Sequence, residues 1–315
     1  MEAEFLEAHG LTEIAKCDLA PPTDIEDELM FDVEDVETHT DDFEEAYLTL
    51  QESSHGALSH SGPLAIKWLE ADAPQTRQTL RALKKLRAEG QLQAELAHAN
   101  VLSACGAVMN ENTFSGILMP FLEGGTLAAA LRELRAEDRV LSEQERAIVA
   151  LAVAEGLLYL HWDMSIAHLD IKAANVFLEA PLQQLLAEAE QRKPAAGFRI
   201  ADFGQSRYLM PDQKTLDVDQ DRAADLHMAP EMGSASRVSA GADVWSFGVL
   251  LWELLEMREP GQEDMCGGRP TIPSTCEPAW ASLMRWCWEP TPRFRPTMAQ
   301  VKFELRAMPP RPAAT

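Results

Sequence analysis

The stretch Ile166-Ala-His-Leu-Asp-Ile-Lys-Ala-Ala-Asn-Val-Phe-Leu178 decides how the rest of the chain is read. An apolar pair precedes His168, and the apolar triplet Val176-Phe177-Leu178 follows Asn175. That is the pattern of a loop pinned between two buried elements, the second a short strand. Between the pins stand an acid, a cation and an amide: Asp170, Lys172 and Asn175. The trio suits phosphoryl transfer, because a carboxylate can orient a hydroxyl, an ammonium can sit on a phosphate and an amide oxygen can hold a metal.

His168 to Asn175 resembles the catalytic loop of eukaryotic protein kinases, His-Arg-Asp-Leu-Lys-x-x-Asn. Leu169 stands where most members carry Arg. Further kinase parts follow one another in order along the chain. Leu64-Ala-Ile-Lys67-Trp-Leu69 is similar to the Val-Ala-Ile-Lys strand, although a lone Lys beside an apolar run is also an ordinary strand end. The spacing of Leu80, Leu83, Leu86, Leu92 and Leu96 predicts a helix over about 75–98 with one buried face. Leu96-Ala-His98-Ala-Asn100-Val resembles the sequence that follows the first long kinase helix, which singles out Glu89 as the partner of Lys67. The same register puts Gln93 and Ala104 where kinases stack large apolar residues. Ile117 to Leu127 looks like the strand and hinge between lobes, with Met119 guarding the adenine pocket. Ser142 and Glu145 form a capping box for an apolar helix running to about Trp162.

Asp202-Phe203-Gly204 resembles the kinase metal-binding motif and Ala229-Pro230-Glu231 the motif closing the activation segment. Asp-x-Gly by itself is an everyday turn; its place after the catalytic loop gives it weight. Asp243-Val-Trp245 resembles the start of the buried helix that anchors the large lobe, where Asp243 would brace the catalytic loop through backbone amides. Trp286 to Pro296 resembles the terminal motif, in which Arg295 would pair with Glu231. The resemblance runs from about Tyr47 to Leu305 and is closest to the tyrosine-kinase-like group of Ser/Thr kinases.

The resemblance implies an α+β, two-lobed protein kinase fold, with a small sheet-rich N-lobe over 46–121 and a larger helical C-lobe over 122–308. It implies ATP and Mg²⁺ as cofactors and protein Ser/Thr hydroxyls as acceptors. Asp170 and Lys172 would be catalytic, and Asn175 and Asp202 the metal ligands. Lys67, Glu89, Gly56, Leu58, Ala65, Met119, Phe121 and Phe177 would form the nucleotide site. There are departures. Aligning the glycine-rich loop gives Gln51, Ser53, Gly56 and Leu58, so one glycine of three survives, or Gly56 belongs to the turn before Lys67 and the loop is lost. Leu169 removes the main receiver for an activation-loop phosphate, so activity independent of phosphorylation at Ser206, Tyr208 or Thr215 is expected. Pro181 to Arg192 has strong helix formers where kinases make a short hairpin, predicting an inserted surface helix over about 180–193. Glu259 to Pro273 is a shortened, Gly- and Pro-rich substitute for a helix that kinases use in docking. A pseudokinase scaffold that keeps the fold is therefore the alternative to an enzyme.

Composition narrows the surroundings. The 315 residues are 46% hydrophobic, enough for a sizeable core. A formal net charge of −24 argues against nucleic acid or an anionic membrane as the main partner. Residues 1–45 contain 17 Asp or Glu and one basic residue, Lys16. Their composition suits a disordered acidic arm, or an acidic-hydrophobic segment that folds on a basic partner or back onto the kinase domain. Five cysteines with no C-x-x-C pair fit free thiols in a reducing, cytoplasmic setting. Neither a signal peptide nor a membrane span is expected. Residues 309–315 read as a Pro-rich tail.

Overall fold

A computed structural model describes residues 63–68, 77–110, 113–191, 196–209, 226–233 and 239–308, together with the backbone of 11–14, 30–32, 36–39 and 47–50. The chain divides into two compact units, one of 1–97 and 102–122, the other of 98–101 and 123–315. Among the described residues no helix is long and apolar enough to cross a membrane.

The first unit contains strands β1 (Leu11–Ile14), β2 (Met30–Asp32), β3 (Val36–His39), β4 (Tyr47–Leu50) and β5 (Leu64–Trp68), helix α1 (Arg77–Ala94), and strands β6 (Gly106–Asn110) and β7 (Thr113–Pro120). Its five-stranded sheet has the order β1-β5-β7-β6-β2, and β3 pairs with β4. Strands β1, β2 and β3 fall in the stretch expected as an acidic arm, whose other residues lie outside the described ones. The core strands β5 and β7 run antiparallel with Ala65 opposite Met119 and Lys67 opposite Ile117. Leu64, Ala65, Ile66, Ile117, Leu118 and Met119 are all buried. The run is apolar on both faces because α1 covers one of them. Within α1, Leu86, Glu89, Leu92 and Gln93 are buried while Lys84, Lys85, Arg87 and Gln91 are exposed.

The second unit holds α2 (Leu127–Ala136), α3 (Glu143–Trp162), β8 (Ile166–Ala167), β9 (Val176–Leu178), α4 (Leu182–Gln191), β10 (Phe198–Ile200) and β11 (Arg207–Tyr208). It continues through α5 (Gly241–Glu256), β12 (Met265–Cys266), β13 (Arg269–Pro270), α6 (Pro278–Cys287) and α7 (Met298–Ala307). Helix α3 starts where its sequence says: the Ser142 hydroxyl accepts the Glu145 N–H and the Glu145 carboxylate accepts the Ser142 N–H. A helix, α4, forms where one is expected over about 180–193, with Leu182, Leu185 and Leu186 turned inward and Gln183, Gln184, Ala187 and Glu188 exposed. The stretch 259–273 carries the small β12–β13 hairpin, turned by Gly267 and Gly268 at φ +61° and +81°.

Helix α5 is the axis of this unit, buried without interruption from Ala242 to Leu254. A Cβ on Gly248 would stand 2.7 Å from Trp288 Nε1 and 2.8 Å from Cys287 Cβ, so glycine is what lets α6 approach. Burial pushes the Cys287 thiol up to about 12. Arg295 makes a two-pronged ion pair with Glu231 at 2.6 and 2.7 Å, donates to the Gly241 and Glu289 carbonyls, and lies over the Trp245 ring. With the guanidinium fully occupied, this buried pair is structural.

At the N-terminal end of α5, Asp243 has no solvent exposure. Its Oδ1 accepts the Leu169 N–H at 2.6 Å and its Oδ2 accepts the His168 N–H at 2.8 Å, with His161 Nε2 at 2.7 Å. Burial alone would raise the carboxyl's pKa, but the His161 hydrogen bond and charge and the Leu169 N–H outweigh it, and the pKa lies below the ordinary value of 3.8. A depressed folded-state pKa stabilises the fold above the unfolded value and loses that contribution as pH falls through the folded one. Asp243→Asn should therefore cost about 1.5–3 kcal/mol in urea unfolding at pH 7, the scale of a hydrogen bond to a charged group. The gap from wild type should narrow as pH is lowered below 3.8. A gap that stays constant with pH would contradict the role of the carboxylate.

Candidate active site

Strand β8 ends at Ala167 and β9 begins at Val176, and the loop between them carries the candidate catalytic residues. Both strands are buried, each tied to a neighbour: β8 to β11 and β9 to β10. The loop is thus fixed at both ends, as its flanking apolar residues predict. Its conformation is demanding at Leu169, which sits at φ +68°. A left-handed residue with a Cβ costs about 1–2 kcal/mol, offset here by the short bond to Asp243. Leu169 is buried, so the position expected to lack an Arg also offers no polar side chain.

His168 ties the loop to the segment that follows β10. Burial lowers its imidazole pKa more than the surrounding carboxylates raise it, leaving a neutral ring at pH 7. Its bonds define the tautomer: Nδ1 accepts the Asp170 N–H at 3.3 Å, and Nε2–H donates to the Ala201 carbonyl at 3.0 Å. The ring meets Phe203 edge-on, centroids 4.9 Å apart. The Ser206 hydroxyl donates to the His168 carbonyl at 3.3 Å, and the Ala201 N–H to the Asn175 carbonyl at 2.9 Å. Asp202, next in sequence, lies at φ +63°, with its Oδ1 accepting the Gly204 N–H at 3.4 Å.

Within the loop, Asn175 Nδ2 donates to the Asp170 carbonyl at 2.8 Å and to Asp170 Oδ2 at 2.9 Å. Lys172 Nζ lies 3.3 Å from the same Oδ2. Asp170, Lys172 and Asn175 therefore form one cluster, and the Asn175–Ala201 bond joins it to the strand leading to Asp202. With Asn175 using its nitrogen on Asp170, its oxygen is the atom offered to a cation. The donors are an amide oxygen and a carboxylate, hard ligands that suit Mg²⁺ completed by phosphate and water oxygens. Among the described residues no group of three or more His, Cys, Asp or Glu side chains is placed to hold a metal by itself.

The first unit carries its own pair. Lys67 Nζ lies 2.7 Å from Glu89 Oε1, with Glu89 buried on the inner face of α1. One turn further along, Gln93 is buried; its Nε2 donates to the Leu102 carbonyl at 3.3 Å, while its Oε1 meets no hydrogen-bond partner among the described residues. Ala104 is buried beside it, its N–H on the Gln93 carbonyl. Such an orphaned acceptor is uncommon in a native interior. Ala65 and Met119 face each other on β5 and β7, and the Phe121 N–H donates to the Pro63 carbonyl. Phe177 in the second unit is buried and bridges to Thr126. Gly56, Leu58 and Thr215 lie outside the described residues.

Sequence reasoning missed two side chains behind the loop. Glu253 accepts the Ala173 N–H at 2.9 Å and faces His227. An acid inside the otherwise apolar run 249–255 of α5 is the signal that points to Glu253.

A family described as protein tyrosine and serine/threonine kinase matches residues 50–305. Mitogen-activated protein kinase kinase kinase 11 of Homo sapiens is 35% identical over 239 residues, 71% of this chain and 26% of that protein. Mitogen-activated protein kinase kinase kinase 10 of Mus musculus is 33% identical over 240 residues, 71% of this chain and 24% of that protein. Dual specificity protein kinase splA of Dictyostelium discoideum is 30% identical over 261 residues, 78% of this chain and 10% of that protein. The match spans about a quarter of the length of the first two relatives. On the fold, the ordered motifs and this match, the chain belongs to the protein tyrosine and serine/threonine kinase family.

Proposed function

We propose that the chain is an active protein kinase that transfers the γ-phosphoryl group of ATP to Ser/Thr hydroxyls of protein substrates. The observation that carries this reading is the Asp170 carboxylate, held by the Asn175 amide at 2.9 Å with the Lys172 ammonium 3.3 Å away. Asp170 orients the substrate hydroxyl and takes its proton as the oxygen–phosphorus bond forms. Lys172 stabilises the charge on the moving phosphoryl group as the bond to ADP breaks. Lys67, set by Glu89, holds the α and β phosphates. By the family resemblance Ala65, Met119, Phe121, Phe177, Gly56 and Leu58 would be the residues that contact the rest of the nucleotide. Asn175 and Asp202 would hold Mg²⁺, which when bound would neutralise phosphate charge.

Positioning and electrostatics dominate this chemistry, and the six polar groups it requires are all in the chain. Lys172 after the catalytic carboxylate favours Ser/Thr over Tyr acceptors, and the names of the two mitogen-activated relatives agree with a protein as substrate. The four described cysteines are unpaired, which supports a reducing, cytoplasmic setting. The acidic residues of 1–45 give a basic protein partner something to bind. The second reading, a pseudokinase scaffold, draws on the orphaned Gln93 oxygen and on Leu169.

Phosphate incorporation from Mg-ATP into generic Ser/Thr and Tyr substrates decides between them. Wild type should label Ser/Thr, and Asp170→Asn should lower the rate by about a hundredfold or more, the scale of general-base loss. Incorporation no higher than in the variant would favour the scaffold. Because Leu169 gives an activation-loop phosphate no guanidinium to pair with, alanine at Tyr208 and Thr215 together, with Ser206 kept for its bond to the His168 carbonyl, should leave labelling within about threefold of wild type. Abolished labelling in that double variant would overturn phosphorylation-independent activity.

A further inference from the structure

The sheet of the first unit is closed on both sides by strands that lie outside the family match, which covers residues 50–305. Its inner strands β5, β7 and β6 run antiparallel to one another in that order. Left to themselves they would end in two open edges, β5 on one side and β6 on the other. Strand β1 lies antiparallel along β5, with Leu11 opposite Lys67, Thr12 opposite Ile66, Glu13 opposite Ala65 and Ile14 opposite Leu64. Strand β2 lies parallel along β6, with Met30 opposite Ala107 and Phe31 opposite Val108. Across the order β1-β5-β7-β6-β2 the two added strands stand about 19 Å apart. The chain from Ile14 to Met30 can reach more than about 50 Å, so one segment can serve both edges.

We propose that β1 and β2 form a clamp in cis: the two edges of the sheet are strand-accepting surfaces, their occupant is the chain's own acidic N-terminal segment, and the clamp keeps the strand that carries Lys67 in register. Leu64, Ala65 and Ile66 on β5 are buried. As an edge strand β5 would leave every second backbone N–H and C=O without a partner, and an apolar edge of that kind recruits foreign strands. The β1 ladder supplies those partners through the main chain, the mode by which an extended peptide is taken up at a sheet edge. With 17 Asp or Glu among residues 1–45, the segment also carries the charge that discourages a further strand from pairing outside it. Lys67 belongs to this ladder, and its ammonium meets Glu89 at 2.7 Å. A slip of β5 by one residue would turn Lys67 to the opposite face of the sheet, away from that carboxylate. The effect on a nucleotide rests on the kinase reading given above; the closing of the edges does not.

Amide hydrogen exchange of the whole chain tests the clamp, read at Ala65 and Ile66 on β5 and at Ala107 and Val108 on β6. Successive N–H groups of a strand point to opposite sides, so in each pair one faces β7 and the other an added strand. Wild type should protect both members of both pairs, each by about a hundredfold or more over a free amide. Protection of only one member of either pair would mean an open edge and would overturn the proposal, whatever the variants do. Thr12→Pro with Glu13→Pro puts a proline at whichever of these two N–H groups faces β5, and proline cannot donate to a ladder. That variant should speed exchange of at least one of Ala65 and Ile66 by about a hundredfold, with the buried Leu250 amide of α5 unchanged. Alanine at the same two positions keeps the ladder and should leave both within about threefold of wild type. Unchanged exchange in the proline variant, equal acceleration at Leu250, or equal opening in the alanine variant would overturn the clamp. In calorimetric titration the proline variant should bind Mg-ATP about tenfold more weakly than wild type, and the alanine variant within about twofold. Equal affinity with the edge opened would overturn the link to Lys67. A wild type that binds no ATP would count against the kinase reading and leave exchange to decide the clamp.

Discussion

Asp243 accepts the N–H groups of both residues that precede Asp170, from a site with no access to water. The bond to the Leu169 N–H offsets the cost of the left-handed backbone at that residue, next to Asp170, whose carboxylate meets Asn175 and Lys172. His161 in turn makes the burial of Asp243 tolerable, because an ionised carboxylate so far from solvent needs a donor of its own. The uninterrupted burial of α5 then acquires a purpose: it makes a rigid axis from which a strained loop can be held. Arg295, the Glu231 pair and the close approach at Gly248 all serve to fix that axis in place.

The second unit's site is complete in its polar groups, while the first unit is uneven. Lys67 and Glu89 meet at 2.7 Å, yet the helix that carries Glu89 is backed by Gln93, with one buried acceptor unanswered, and by the small Ala104. In this chain the groups that would act on the phosphate and the hydroxyl are braced by buried carboxylates.

Much of this was legible in the sequence, because the signals are local and chemical. The apolar pins around the catalytic loop, the Ser142–Glu145 box and the helix formers of α4 each encode their own structure within a few residues. Lys67 and Glu89, or Arg295 and Glu231, were legible through family resemblance and not through spacing, since contacts across 22 and 64 positions leave no periodic trace. Glu253 was visible as an acid in an apolar helix, but its partners were not. Neither an Ala N–H nor a His far along the chain announces that a buried carboxylate will lie between them. The Gln93 oxygen is likewise a matter of three-dimensional accounting, because whether an amide finds partners depends on neighbours that no short window contains.

The most direct test of the proposed function concerns the second unit, where Asn175 and Asp202 are proposed to hold a metal ion on a bound nucleotide. Calorimetric titration of ATP into the whole chain, with Mg²⁺ and with EDTA, tests it most directly when wild type is compared with Asp202→Asn. The account predicts that Mg²⁺ tightens ATP binding by about tenfold or more and that Asp202→Asn removes most of the gain. Equal affinity with and without Mg²⁺, or a gain that survives in Asp202→Asn, would contradict it.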